Sequence, residues 1–210
     1  MRYNDYHNEP QTRRCNILRR MFASIAHSSL FIFLFSFFIP LSLALLSCSK
    51  AENIYSSRPV YFVCTNTNTI PQLNIALNSP GEFCAITVDA SHFNYTSPSG
   101  SSQTNRTALQ NYQNFRLGLS GLIVGLPNIP EPGADLPHVV CFDLACPNCF
   151  EQYSISPALT LTESGMARCR RCERNYDLNN QGIVASGTPG RALYRYRVSF
   201  MPHTLQVVNQ

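Results

Sequence analysis

Val139-Val140-Cys141-Phe142-Asp143-Leu144-Ala145-Cys146-Pro147-Asn148-Cys149 carries an apolar, β-prone run directly into a C-x-x-C knuckle. Ala167-Arg168-Cys169-Arg170-Arg171-Cys172 repeats the arrangement after residues 150 to 168. Each knuckle brings two thiolates of one tight turn to a single point, and two knuckles complete a tetrahedral all-sulfur shell. One C-x-x-C by itself is compatible with a redox dithiol. Two at this separation match zinc-ribbon spacing, which points to one metal shared by Cys146, Cys149, Cys169 and Cys172. Both knuckles are expected at strand ends, with Tyr176-Asp177-Leu178 leaving the second.

Outward from the knuckles the chain reads as strands and turns. Val60-Tyr61-Phe62-Val63, Phe83 to Val88 and His92 to Thr96 are short runs rich in β-branched and aromatic residues, set between stretches of Asn, Ser, Thr, Pro and Gly. Ser97 to Thr107 reads as a polar loop, Ala108 to Leu119 as a segment with room for a turn of helix, and Pro127 to Pro137 as a surface excursion. Ala192 to Phe200 alternates apolar with polar residues as a half-buried strand does, and Thr204 to Val208 reads as its hairpin partner. The expected fold class is all-β, an antiparallel sandwich with a small zinc-ribbon-like subdomain built on two metal-binding loops.

The amino-terminal residues set the compartment. Arg13, Arg14, Arg19 and Arg20 precede an apolar run from Leu30 to Leu46 that stops at Ser47-Cys48, the pattern of an export signal. Leu45-Leu46-Ser47-Cys48 resembles a bacterial lipobox, which implies a signal peptide over 1–47 and lipidation at Cys48. A membrane-spanning anchor is the competing reading, and Pro40 and the terminal Ser-Cys favour processing. Residues 48–57 then serve as lipidated cysteine and tether, and 58–210 as one β domain whose metal-binding loops lie within 141–190.

The whole chain carries a formal net charge of +4, with only 13% charged residues. Removing residues 1–47 leaves eleven basic and ten acidic residues, so the basic character belongs to the leader. No stripe of positive charge remains to track nucleic acid, which is therefore not an expected partner. The expected location is the cell envelope, held to the membrane by lipid and facing a redox or envelope protein.

The order of parts resembles the Rieske fold. Phe142-Asp143-Leu144-Ala145-Cys146 stands where a Rieske domain leads into its first ligand loop, and Cys169 to Cys172 where the second lies. Tyr176-Asp177-Leu178 matches the strand that follows, Gly187-Thr188-Pro189-Gly190 the Gly-Pro loop, and Leu193 to Val198 the next strand. The likeness runs from Gly121 to the end. More narrowly, the chain resembles small exported lipoproteins described as Rieske-like, or as the ferredoxin subunit of a nitrite reductase or ring-hydroxylating dioxygenase. It departs from that family at the ligands. A Rieske cluster takes two histidines on one iron, and here Cys149 and Cys172 occupy those places, while His7, His27, His92, His138 and His203 all lie outside the knuckles. The resemblance therefore implies the fold without the Rieske redox centre.

For the four cysteines the leading expectation is a structural Zn2+ ion. A [2Fe-2S] cluster or a rubredoxin-like mononuclear iron is the alternative, which would make the protein an electron carrier. Cross-loop disulfides such as Cys146 with Cys169 remain a third reading in an oxidising compartment. Arg168, Arg170, Arg171 and Arg174 offset the negative charge of a thiolate site, and Asn148 or Asn175 is a candidate donor to the sulfurs. Cys64 and Cys84 form a candidate disulfide, with buried free thiols as the other option, and Cys141 reads as a core residue. No catalytic triad, paired carboxylates, phosphate-binding glycine loop or open three-ligand metal site is evident, so no enzymatic role and no small-molecule substrate is expected.

Overall fold

The computed structural model describes residues 54–106 and 115–209. The leader, Cys48 and the segment 107–114 lie outside the described residues, and with them most of the expected helical turn. Arg116–Leu117 is a short strand, and residues 118–120 turn.

Strand β1 (Val60–Thr65) pairs antiparallel with β14 (Thr204–Asn209) and with the short β5 (Arg116–Leu117). With β13 (Val198–Met201) they form a four-stranded sheet in the order β13-β14-β1-β5. A six-stranded sheet holds β2 (Glu82–Val88), β3 (His92–Ser97), β4 (Gly100–Asn105), β6 (Leu122–Leu126), β7 (Val140–Asp143) and β12 (Arg195–Tyr196), in the order β12-β7-β6-β2-β3-β4. A smaller sheet, β11-β10-β9-β8, is built from β8 (Thr160–Thr162), β9 (Met166–Arg168), β10 (Asn175–Asp177) and β11 (Ile183–Ser186). Every pairing between these strands is antiparallel, so the all-β expectation holds.

The six-stranded sheet is the middle layer, as the alternation of its side chains shows. Cys84, Ile86, Leu122, Val124 and Cys141 enter one core, with Phe62 and Val207 from the four-stranded sheet. Phe83, Ala85, Ile123, Val140 and Phe142 enter a second core, with Ala167, Tyr176 and three of the knuckle cysteines. A strand covered on both faces has no polar side to show, which is why β2, β6 and β7 are apolar at consecutive positions. The part that carries the two cysteine knuckles is thus one of two layers laid against a central sheet.

Three departures from the sequence reading have local causes. Helix α1 (Pro71–Asn78) occupies a stretch whose asparagines and proline resemble turn residues. Pro71 at its first position costs no hydrogen bond, and Leu73, Ala76 and Leu77 share the face turned to the core. Residues 100–105, expected as loop, are strand β4, an all-polar edge paired with β3 along its whole length. The single strand expected over 192–200 is two strands: Arg195–Tyr196 pairs with β7, Val198–Met201 pairs with β14, and the chain changes sheets at Arg197. The expected hairpin with 204–208 is present.

The segment assigned to the tether joins the fold before residue 58. Tyr55 bridges Arg195 in parallel, Ser56 N–H donates to the Arg195 carbonyl at 2.8 Å, and the guanidinium groups of Arg195 and Arg197 lie 5.4 Å and 4.9 Å from the centre of the Tyr55 ring. Cys64 and Cys84 sit on different sheets, and both are free thiols. Their sulfurs turn to separate acceptors, the Thr65 and Ala85 carbonyls at 3.6 Å each, so the candidate disulfide is not formed here. Burial pushes both thiols up, that of Cys84 to about 12. Cys141 is likewise buried and free.

Candidate metal centre

Two elements present the sulfurs, each for a local reason. Strand β7 ends at Asp143, a fully buried carboxylate that fixes the start of the first knuckle. Its Oδ1 accepts the Ala145 N–H at 2.8 Å, while Oδ2 accepts the Leu119 N–H at 2.8 Å and the Tyr196 hydroxyl at 2.7 Å. Burial raises the Asp143 pKa, with these donors opposing it. Residue 118 is glycine because its backbone is left-handed at φ +66° and a Cβ there would collide with Asp143 Oδ2.

Beyond Asp143 the knuckle is not a simple turn. Cys146 is the residue before helix α2 (Pro147–Tyr153), with Pro147 in its first turn. Cys149 comes three residues after Cys146, nearly one helical turn on, and therefore on the same side. The helix ends at left-handed Ser154, and the returning chain closes against the knuckle through Cys146 N–H to the Pro157 carbonyl at 3.0 Å. The second knuckle is the turn of the β9–β10 hairpin, held by Cys169 N–H to the Arg174 carbonyl at 3.0 Å and Glu173 N–H to the Cys169 carbonyl at 2.9 Å.

The structure brings all four predicted cysteines together. Their sulfurs all lie within 4.8 Å of one another, with Cys146 to Cys172 at 3.6 Å and Cys149 to Cys169 at 3.7 Å. A tetrahedral ion with bonds of about 2.3 Å places its sulfurs roughly 3.8 Å apart, so the group fits a metal ion. Cys146, Cys149 and Cys169 are fully buried, and Cys172 alone reaches solvent. All four are free cysteines, so the cross-loop disulfide Cys146–Cys169 is not formed here.

The surroundings are polar at two points. Tyr176 on β10 places its hydroxyl oxygen 3.1 Å from Cys146 Sγ, and Asn148 Nδ2 donates to that oxygen at 2.9 Å. Asn148 therefore acts through Tyr176 rather than on a sulfur directly. It also exchanges two hydrogen bonds of 2.9 Å with the Arg191 backbone, a close approach open only because Gly190 lacks a Cβ. Asn175, the other candidate donor, bonds Ser186 instead. Of the four arginines, Arg174 touches one of the four cysteines: its N–H and guanidinium hydrogen-bond Cys172, and its Nε holds the Thr188 carbonyl at 2.8 Å. Arg171 lies over the Tyr153 ring. Sequence reading placed Tyr176 only as a strand residue between Asn175 and Asp177, because nothing local to it points to the first knuckle.

Burial drives the thiols of Cys146 and Cys149 above their ordinary range. Burial acts the same way on Cys172, but hydrogen bonds from the Arg174 N–H and guanidinium, together with those from Cys169 and Cys146, outweigh it and hold that thiol at about 6. An incoming metal would therefore displace protons from Cys146 and Cys149. No family model and no curated protein sequence matches this chain. Among the described residues, no helix is long and apolar enough to cross a membrane.

Proposed function

We propose that this protein is an exported, lipid-tethered β domain of Rieske-like architecture whose four cysteines hold one structural zinc ion. The observation that carries the reading is the compactness of the sulfur group, with every pair within 4.8 Å. A [2Fe-2S] cluster divides its four thiolates between two iron atoms and spreads them wider than a single ion does. The ion would bind helix α2 to the β9–β10 hairpin and so hold the small sheet against the central one. A shell of four protein sulfurs leaves no coordination position for a substrate, which favours a structural over a catalytic role.

The order of elements supports the Rieske likeness: a strand into the first knuckle, a second knuckle on a hairpin, a Gly-Pro loop, and a closing hairpin that returns to a sheet. Export and lipidation at Cys48 rest on the sequence of the leader, and membrane attachment and an envelope location follow from them. A mononuclear, rubredoxin-like iron is the second reading. The partly exposed Cys172 favours it, since one ligand that reaches the surface gives an electron a short path to a protein partner.

Elemental analysis and the absorption spectrum of the anaerobically purified protein decide between these readings. A colourless protein with one equivalent of zinc is expected. A red or brown protein that bleaches with dithionite overturns zinc and establishes the electron carrier. Mass spectrometry of the amino-terminal peptide tests the anchor separately: a diacylglyceryl Cys48 is expected, and an uncleaved leader overturns it.

A further inference from the structure

The four cysteines are not equivalent, and their inequality suggests a reaction. Three are sealed in the core, while Cys172 reaches solvent. Arg174 sets an N–H and a guanidinium against its sulfur, leaving a cation beside the one sulfur of the four that an outside reagent can approach. Behind it, Cys146 Sγ stands 3.6 Å away on the opposite knuckle. An accessible cysteine sulfur next to a cation, with a second sulfur 3.6 Å away, is the arrangement of a redox-sensing cysteine and its resolving partner. The remaining two, Cys149 and Cys169, form a buried pair at 3.7 Å.

We propose that this centre is also a peroxide-reactive site, in which Cys172 is oxidised first, Cys146 resolves it as a disulfide, and the metal is released. The inference rests on the proposed metal site and adds a reaction to it. The Cys172 thiolate attacks the peroxide O–O bond: an S–O bond forms, the O–O bond breaks, and one oxygen leaves as hydroxide or the corresponding alkoxide. The Cys146 thiolate then attacks the sulfur of the resulting sulfenic acid, so that the S–S bond forms and the S–O oxygen departs as a second hydroxide. Two electrons pass from the sulfurs to one peroxide. The metal has then lost two of its four ligands and dissociates, leaving Cys149 and Cys169 reduced. A cross-knuckle disulfide still ties helix α2 to the β9–β10 hairpin, so the staple changes its chemistry without being lost.

The test treats the metal-loaded full chain with one equivalent of hydrogen peroxide. It follows zinc with a chromogenic chelator and maps cysteines after alkylation. Zinc release is expected to quicken by about tenfold or more over the untreated chain. The expected map shows a Cys146–Cys172 disulfide with Cys149 and Cys169 alkylated, reversed by dithiothreitol. Arg174→Met keeps all four ligands and is expected to slow the peroxide-driven release by about tenfold. A disulfide within one knuckle, four alkylatable thiols with zinc retained, or a wild-type rate in the Arg174 variant overturns the proposal. Metal analysis before treatment separates the two readings: a chain isolated without metal defeats the structural-zinc proposal, and the disulfide map of that same chain still decides this one.

Discussion

Tyr176 sets its hydroxyl oxygen 3.1 Å from the sulfur of Cys146, and that oxygen in turn accepts a hydrogen bond from Asn148 at 2.9 Å. A phenol that accepts from the amide donates its own proton toward the sulfur, where it stabilises a thiolate and fixes its direction. Tyr176→Phe keeps the ring in the core and removes only this donor. Affinity for zinc is expected to fall by about tenfold, the range found when partners of metal ligands are removed. Competition with a chelator of known affinity measures it, and an unchanged constant would show that the hydroxyl is merely buried beside the sulfur.

Loss of a ligand should reach further than loss of its hydrogen bond. Cys169→Ser leaves three sulfurs in a core that is otherwise apolar, and a metal bound only by the folded state contributes its binding energy to folding. The domain is expected to lose roughly 3 kcal/mol or more of stability, and the variant should melt alike with and without chelator. The wild type should instead be shifted down by chelator. If the wild-type melting curve ignores chelator, the metal is not a structural element.

What the sequence made legible follows from how each signal is encoded. The four-cysteine group was readable because its spacing is itself the signal, and the strands over 60–65, 82–88 and 140–143 because their composition is local. The apolar runs of β2 and β7, such as Phe83-Cys84-Ala85-Ile86, also hold the layering, since a strand without alternation is covered on both faces. Helix α2 was hidden because Cys146-Pro147-Asn148-Cys149 serves a metal turn and a helix start equally well. The break at Arg197 was hidden because the alternation runs through it unbroken while the pairing partner changes, and a partner strand is a long-range fact. The same reasoning applies to Tyr176 and to Asp143, whose roles depend on residues far away in the chain.

Asp143 offers a test of the frame on which the first knuckle stands. Its carboxylate accepts from Leu119, Ala145 and Tyr196, three donors converging from two directions. Asp143→Asn would turn an amide N–H toward one of them and leave a buried donor unsatisfied. The expected cost is about 2 kcal/mol, read as a shift in the urea midpoint. Gly118→Ala should be destabilising by a similar amount, ~2 kcal/mol, because it adds a Cβ against that same oxygen at a left-handed backbone position. The two losses should not add, since both act on one carboxylate. A double variant as unstable as the sum of the singles would show that the sites are independent.

The turn between β2 and β3 gives a prediction of the opposite kind, a pH dependence with a defined sign. Asp89 accepts the Ser91 N–H at 2.8 Å, the Asn94 amide at 3.2 Å and the His92 N–H at 2.7 Å, and these bonds to its charged form hold its pKa at about 2. The unfolded value is about 3.9. A folded pKa below the unfolded one means that the unfolded chain takes up its proton first as pH falls, so the contribution is intact above roughly pH 4 and drains away toward pH 2. An asparagine keeps an oxygen for the same backbone N–H groups but has no proton to gain. Asp89→Asn should therefore match the wild type more closely at pH 2.5 than at pH 6, with a flatter acid limb in melting temperature. Parallel acid limbs for the two proteins would place the acid sensitivity elsewhere in the molecule.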